Sequence, residues 1–423
     1  MNAIPEIAIG VPAERQCYKK ILLVLAVLFL IGAGSFTYML VTMPELIPWD
    51  FFVASFVYLL GISQFGIAFS AIMRICKTNW ARPFYRLGEI ATLAFFPFAI
   101  ILFLLIYTHG KEHLFFWVSP EPGQHLSPWL NSNFFLVRNL FAQLLFYGLA
   151  IVYFLMGLIP DITSDSFRND QGCCTGFHRW LLSQKQRRDV ERLKSNMLVF
   201  APIVLIVAVV ANTFISWDFG MMLFPHYHST IFPMYFILGN MLAGAAAILI
   251  LGAVTYRILG LKNFFKTVQL ESMGIVFTGF ALLWLYMFWS QFFVTWFGNL
   301  PYETGPLWTR MFGHYAPYFW VMMFCVFWLP FGALIFAPVK RNWWSLLLVA
   351  AVINVGVWIN RYLLIVPARL EDHTPFSSLS ELILVVGLFS GFMLMFLLSF
   401  KIFPMISMWE IQDGISEEDS ALS

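Results

Sequence analysis

The stretch Asp50–Arg86, DFFVASFVYLLGISQFGIAFSAIMRICKTNWARPFYR, decides the fold of this chain. Its first two dozen residues are almost entirely apolar, and a helix needs about 20 such residues to cross a bilayer. Basic side chains follow on one side only, at Arg74, Lys77, Arg82 and Arg86. Because loops rich in Lys and Arg stay in the cytoplasm, the stretch predicts a spanning helix whose second end faces the cytoplasm.

The same pattern recurs along the chain and predicts an all-α integral membrane protein. The composition is 60% hydrophobic and only 11% charged, whereas soluble domains carry about 25% charged residues. Even spacing of the apolar segments leaves no room for a soluble domain, since the longest basic loop is 159–196. Ten spanning helices are predicted, at approximately 21–42, 50–75, 88–108, 134–158, 197–217, 230–256, 273–297, 315–337, 345–366 and 378–403.

The distribution of charge predicts the topology. Of the 25 Lys and Arg residues, 20 lie in the first tail or in every second loop. The intervening loops hold only Lys111, Arg310 and Arg369. We therefore expect a multi-pass membrane protein with residues 1–20 and 404–423 in the cytoplasm. The acidic tail after Met405 is expected to be a disordered extension, and the small net charge gives no sign of a nucleic-acid partner.

An internal similarity divides the membrane domain, 21–403, into two halves of about 49–217 and 226–366. Glycine and alanine positions recur at an offset of 178 residues, with Gly61, Gly66 and Ala68 matching Gly239, Gly244 and Ala246. Four segments separate the copies, so both run in the same direction. The pattern predicts two parallel four-helix bundles, segments 2–5 and 6–9, with segments 1 and 10 peripheral. Small residues are common wherever membrane helices pack, so chance similarity is the alternative.

Histidine and cysteine positions argue against a haem or iron–sulfur centre in this chain. Seven of the eight His fall at the predicted outer face and none near the middle of a segment. The five Cys lack the spacing of covalent haem attachment or of a cluster ligand set. We therefore predict no metal site.

Polar residues collect instead at the outer ends of the helices. A charge in the hydrocarbon is costly and usually faces a bundle interior or a wet cavity, although each such side chain alone can also be an interfacial anchor that snorkels outward. Their convergence on one face favours a polar pocket. The residues are Asp50, His109, Arg138, Asn139, Asp218, His226, His228, Gln291, Asn360 and Arg361.

Such a pocket suits a quinol, a flat ring with two oxygens that loses two protons and two electrons on oxidation. A quinol site needs hydrogen-bond partners for the oxygens and an acid or base of suitable pKa. We expect Asp218 and His226 to accept protons, which makes them the candidate catalytic residues. The candidate quinol-binding residues are Asp50, His109, Arg138, Gln291 and Arg361.

The inner side offers a second possibility, a path for protons. Glu89 and Glu271 open segments three and seven, where a carboxylate also simply suits a helix N-terminus. Polar residues inside the segments are candidate steps of a path, or equally interhelical hydrogen-bond partners. They are Gln64, Asn212, Asn240, Ser290 and Asn354.

Four stretches carry a resemblance to a known family. They are Arg86–Leu93 (RLGEIATL), Asn133–Arg138 (NFFLVR), Ser216–Phe232 (SWDFGMMLFPHYHSTIF) and Trp289–Glu303 (WSQFFVTWFGNLPYE). Together they resemble the NrfD/PsrC-like membrane subunits, and most closely the ActF subunit of alternative complex III, a quinol-oxidising respiratory complex. The resemblance covers most of segments two to nine.

The resemblance implies a membrane subunit of a multisubunit complex in the bacterial inner (cytoplasmic) membrane, working with menaquinone or ubiquinone. The implied partners are a periplasmic iron–sulfur subunit, c-type cytochrome subunits and a sister NrfD-like subunit. The sequence departs from the family at Phe224, where an acidic residue usually precedes Pro–His, and the order Trp217–Asp218 is inverted. The resemblance also implies that Glu303 belongs to the proton path. The positions to which it assigns a functional role are Glu89, Arg138, Asp218, His226, Ser290, Gln291, Asn299 and Glu303.

Two alternatives stay open at this stage. A structural anchor would support a sister subunit without a quinol site of its own. A secondary transporter is the alternative from another class, but transporters often have inverted repeats with polar groups at the midplane. Here the apparent repeat is parallel and the polar groups lie at one face.

Overall fold

The computed structural model describes residues 16–120, 126–162, 175–187, 189–225, 227–259, 266–407 and 409–413. Within these ranges the chain is helical and has no β-strand. Ten helices are long and apolar enough to cross a membrane, which confirms the predicted fold class. We label them α1 Tyr18–Thr42, α2 Trp49–Ile75, α3 Arg82–Leu114, α4 Ser132–Asp161, α5 Val190–Met221, α6 Phe232–Tyr256, α7 Thr267–Gly298, α8 Ala316–Leu334, α9 Trp343–Ala368 and α10 Leu379–Ser399.

Several helices extend beyond the predicted spans, mostly at the ends that carry the basic loops. The largest additions are the first turns of α3, α5 and α7, where charged side chains join the helix. In the described ranges three shorter α-helices, Thr175–Arg187, Pro301–Phe312 and Ala337–Arg341, lie between spanning helices. The ends with the basic loops form one face of the bundle, called the inner face, and the opposite ends form the outer face. Which compartment each face meets stays a prediction of the charge pattern.

The helices pack as two rings of four, as predicted. In the first ring α2 contacts α3, α3 contacts α4, α4 contacts α5, and α5 returns to α2. In the second ring α6, α7, α8 and α9 contact one another in the same order. The rings meet where α2 packs against α6 and α9, and where α5 packs against α6. Helix α1 packs mainly on α10, and α10 joins the first ring through α3 and α2.

The central helix α2 is apolar around its circumference because it is surrounded by protein. Almost every side chain from Trp49 to Arg74 is buried, which is the environment that an all-round apolar helix requires. Glycine permits its closest approach to α3: a Cβ on Gly66 would overlap the carbonyl oxygen of Gly88. Without side chains at these two positions the helices meet backbone to backbone, as is common in membrane bundles.

At the inner face, buried ion pairs tie the first ring together. Glu89 on α3 pairs with Arg74, and also with Arg86 at 3.3 Å. Arg86 in turn pairs with Asp161 at the end of α4, at 2.6 Å. All four side chains are at least 96% buried. In a membrane bundle such charges must be matched within the protein, so the cluster fixes α2, α3 and α4 relative to one another.

The start of the tail is ordered, contrary to the expectation of a disordered extension after Met405. Residues 409–413 form a helical turn against the inner ion cluster. The Glu410 carboxylate accepts a hydrogen bond of 2.7 Å from Nε of Arg74. Trp409 donates from its backbone to Asp161 at 3.0 Å and from its indole to the carbonyl of Gly157 at 3.0 Å. These partners hold the segment, and the predicted acidic residues 417–419 lie outside the described residues.

The contact between α2 and α3 gives a paired test. Gly66→Ala should lower thermal stability in detergent, because its Cβ meets backbone that has no room to move. Gly148→Ala on α4 is the control, since nothing lies within 4 Å of its added Cβ, and a helical Gly→Ala change gains about 1 kcal/mol of propensity. An equal response of the two variants in a thermal unfolding assay would contradict the packing argument.

The docked tail gives a second test. Glu410→Ala leaves Arg74 with one carboxylate partner and should cost about 1.5–3 kcal/mol, the usual value of a hydrogen bond to a charged group. Glu191→Ala is the control, because its side chain is 80% exposed. Chemical unfolding in detergent measures both, and unchanged stability of Glu410→Ala would show that the tail does not contribute to the cluster.

Candidate functional site

The outer end of α5 places an aspartate inside the bundle. The last turn of α5, Trp217–Met221, is a π-helix, and it buries Asp218 completely. Such wide turns are frequent at functional sites. Across from it, α4 begins after Asn131, whose side chain accepts a hydrogen bond from the backbone of Phe134 at 3.1 Å. That start sets Arg138 six residues, or nearly two turns, into α4, where it pairs with Asp218.

Arg138 and Asp218 form a buried ion pair with every carboxylate oxygen engaged. Oδ2 of Asp218 accepts from Nε of Arg138 at 2.9 Å and from Asn139 at 2.5 Å. Oδ1 accepts from Nη2 of Arg138 at 2.5 Å and from the indole of Trp129 at 3.2 Å. The guanidinium also lies over the Trp129 ring, 4.3 Å from its centroid. The structure therefore brings together two predicted site residues, but they are paired with each other through hydrogen bonds.

Next to this pair lies an outer cavity of about 470 Å³. Its wall combines the end of α5, residues 228–231, the end of α7 and the helix Pro301–Phe312. The polar side chains that line it include His228, Ser229, Gln291 and Glu303, and the apolar side includes Trp129 and Trp217. Ligand cavities in proteins usually fall between about 300 and 1,000 Å³, so a small ring compound fits. Trp129 links this wall directly to Asp218.

Gln291 is the best-fixed polar residue of the outer cavity. Its carbonyl oxygen accepts a short hydrogen bond from the hydroxyl of Ser229. Its amide nitrogen donates to the hydroxyl of Thr295 at 3.1 Å and to that of Tyr227 at 3.3 Å. The side chain is therefore held between α7 and the chain that leads into α6, and it separates the outer cavity from a smaller one.

The smaller cavity, of about 40 Å³, lies deeper between α6, α7, α8 and α9. Its polar lining is Tyr227, Tyr235, Gln291, Arg310 and Asn360. From the sequence Arg310 is expected to be only a loop charge, and the two tyrosines are not predicted site residues. The sequence feature that could have pointed to Arg310 is its rarity, since it is one of only three basic residues in the outer loops. Burial lowers the pKa of the Arg310 guanidinium and raises that of the Tyr227 hydroxyl, because burial disfavours the charged forms.

Below the smaller cavity a chain of polar side chains runs toward the middle of the bundle. Arg361 donates from Nη1 to the amide oxygen of Asn360 at 3.2 Å and from Nη2 to that of Asn240 at 2.9 Å. Asn240 donates to Asn212, and Asn212 to Gln64, both at 2.9 Å. The chain joins α9, α6, α5 and α2. Asn354, also predicted as a step, bonds with Tyr58 instead.

The remaining predicted outer residues are placed apart from these cavities. Two of them, Asp50 and His109, line neither cavity. Asp50 lies at the start of α2, and His109 is exposed and forms a hydrogen bond of 2.7 Å with Thr108. Ser290 donates to the carbonyl of Tyr286 in its own helix at 2.8 Å. Asn299 caps α7 in the left-handed conformation, with φ of 47°. His226 lies outside the described residues.

The two inner carboxylates have different surroundings. Glu89 is fully buried in the ion cluster, whereas Glu271 pairs with Arg341 at 3.1 Å on the inner surface. Gln64 is ten residues from Arg74, the partner of Glu89, which is about 15 Å along a helix. Within the described ranges, no group of three or more His, Cys, Asp or Glu side chains is arranged to hold a metal ion.

The Arg138–Asp218 pair gives a test by single and double substitution. Asp218→Asn leaves a buried arginine without its countercharge and should cost about 3–5 kcal/mol. The double variant Arg138→Met with Asp218→Leu should recover most of that stability, because no unpaired charge remains. Glu271→Gln, which breaks an exposed pair worth at most about 1 kcal/mol, is the control. Chemical unfolding in detergent is the measurement, and equal losses for Asp218→Asn and Glu271→Gln would contradict the assigned burial.

Comparison with known proteins shows to which family the chain belongs. A family model described as polysulphide reductase, NrfD, matches residues 39–371, more than three quarters of the chain. The match runs from the last turn of α1 to just beyond α9, so it includes both rings and both cavities. No curated protein matches the chain.

Proposed function

The chain belongs to the NrfD family, whose members are membrane subunits of redox complexes, and we propose that it serves a respiratory quinol:electron-acceptor oxidoreductase of the alternative complex III type. NrfD proteins generally work with iron–sulfur and cytochrome subunits. The proposed partners are a periplasmic iron–sulfur subunit, c-type cytochromes and a sister NrfD-like subunit. The proposed location is the bacterial cytoplasmic membrane, with menaquinol or ubiquinol as substrate.

The outer cavity is the observation that carries this proposal. It has room for a quinol ring, aromatic walls from Trp129 and Trp217, and polar groups of the kinds that quinol chemistry needs. Gln291 and Ser229 offer hydrogen bonds to the ring oxygens. Glu303 and His228 offer a carboxylate and an imidazole, the usual proton acceptors near neutral pH.

Oxidation of one quinol releases two protons and two electrons and leaves the quinone. In the proposed site the hydroxyl protons pass to Glu303 and His228, which lie at the outer face. The electrons leave to a metal centre of a partner subunit. The Arg138–Asp218 pair holds Trp129 in the wall through the indole hydrogen bond, so we assign it a positioning role. Asp218 was the predicted proton acceptor, but its full set of hydrogen bonds favours this second role.

A proton path is the second contribution that we propose. The hydrogen-bonded chain Arg361–Asn240–Asn212–Gln64 supports a route through α9, α6, α5 and α2 toward the inner cluster at Glu89. Ser290 and Glu271 fit this route less well, because one bonds within its own helix and the other forms a surface ion pair.

A structural anchor is the competing function, and one observation favours it. Arg138 and Asp218 are already satisfied by each other, and two of the predicted quinol ligands, Asp50 and His109, lie away from the cavity. In that case a sister subunit would oxidise the quinol.

The decisive experiment is quinol oxidation by the complex assembled with variants of this chain. Gln291→Leu and Glu303→Gln should each lower kcat/KM at least about tenfold, since each removes an interaction with the reacting headgroup worth more than about 1.4 kcal/mol. The matched controls are Ser290→Ala, the neighbour that bonds within its own helix, and Glu112→Gln, an exposed carboxylate at the outer face.

Two outcomes would reject the proposal. Wild-type rates in fully assembled Gln291→Leu and Glu303→Gln complexes would assign this chain the anchor function. Purification of the chain without iron–sulfur or haem partners, together with solute movement in vesicles, would assign it to the transporters.

A further inference from the structure

The small cavity beside Gln291 is unusual in its charge. Arg310 lines it and is 93% buried. Among the described residues its one hydrogen bond is a long one of 3.5 Å from Nη2 to the carbonyl of Leu364, and its Nε has no partner there. Within the described part of the chain no carboxylate pairs with it. The Phe224 ring, 5.1 Å from the guanidinium carbon, gives a weak cation–π contact.

A second uncompensated cation lies just behind the cavity. Arg361 is fully buried and contacts the amide oxygens of Asn360 and Asn240, but no described carboxylate. Burying one unpaired charge costs several kcal/mol. Two such charges around one cavity therefore produce a strongly positive site, in contrast to Arg138, which has Asp218.

The polar lining of the cavity has hydrogens to donate and few free acceptors. The oxygen of Tyr235 already accepts from the amide of Asn360, and that of Tyr227 from the amide of Gln291. Each phenol hydrogen is therefore left to donate. The amide oxygens are engaged as well, because Gln291 accepts from Ser229 and Asn360 from Arg361.

A water molecule has two hydrogens to donate and would find few acceptors in such a lining. An anion has none to donate and accepts from several partners at once. The cavity of about 40 Å³ is large enough for one ion of halide size, and too small for an aromatic ring.

We propose that this cavity is a binding site for a small monovalent anion of halide size, held by Arg310 and the hydroxyl groups of Tyr227 and Tyr235. The bound anion balances the two buried guanidiniums next to the outer cavity. The proposal does not depend on quinol oxidation and holds for either of the two functions considered above.

Thermal unfolding of the purified full-length chain in detergent tests the site. At equal ionic strength the Tm should be higher in sodium chloride or bromide than in sodium gluconate, an anion too large for the cavity. Arg310→Gln should abolish this difference. Tyr227→Phe keeps the guanidinium but removes one donor, and should raise the half-saturating halide concentration about tenfold. Arg369→Gln, which removes an exposed outer charge, is the control and should behave as wild type.

A structure of the wild-type chain in bromide should show anomalous scattering beside Arg310, and this measurement needs no variant. An equal wild-type Tm in halide and gluconate would overturn the proposal, as would a halide effect that persists in Arg310→Gln. A rise in Tm with a soluble quinone but not with halide would also overturn it, and would assign the donors to a quinone oxygen.

Discussion

A charge that lies inside a membrane bundle has to be balanced by the protein itself, and this constraint organises the chain. At the inner face Arg74 and Arg86 share Glu89, Asp161 and Glu410. At the outer face Arg138 takes Asp218. Apart from Arg86–Glu89, which lies within α3, each pair joins two different helical segments. Because an unmatched buried charge is costly, these pairs hold the segments against one another. Arg310 and Arg361 are the exceptions in the described chain: Arg310 lines the small cavity, and Arg361 lies behind it against Asn360.

Most of the fold could be predicted from the sequence, because a membrane requires apolar segments of a certain length and positive charge in the cytoplasmic loops. The apolar stretches and the alternate basic loops predicted the ten helices, and the glycine and alanine repeat at an offset of 178 residues predicted the two rings. For residues 409–413 the prediction of a disordered tail was wrong, because their order depends on the ion pair between Glu410 and Arg74, which lie 336 residues apart. Such a long-range pair leaves no local pattern, and an acidic tail alone resembles a disordered one.

The site was predicted less completely, and the reason is geometric. Charge alternation tells which end of a helix a residue occupies but not which side of the helix it faces. At the outer face Gln291 and Glu303 line one cavity, and the Arg138–Asp218 pair lies next to it. His109 shares the same face but does not line the cavity. Arg310 was missed because a basic residue in a loop is expected to be solvated. In the structure the helix Pro301–Phe312 instead buries it next to Phe224 and Tyr227.

The docked tail also determines the order in which the inner ion pairs can form during synthesis. Arg74 is inserted early, with α2, while Glu410 is translated more than 300 residues later. The hydroxyl of Tyr18 on α1 likewise donates to the carbonyl of Leu397 on α10, at 2.7 Å. The first ring therefore cannot complete its ion cluster until residue 410 has been translated. A chain that stops before Glu410 would leave Arg74 with Glu89 as its only described carboxylate partner.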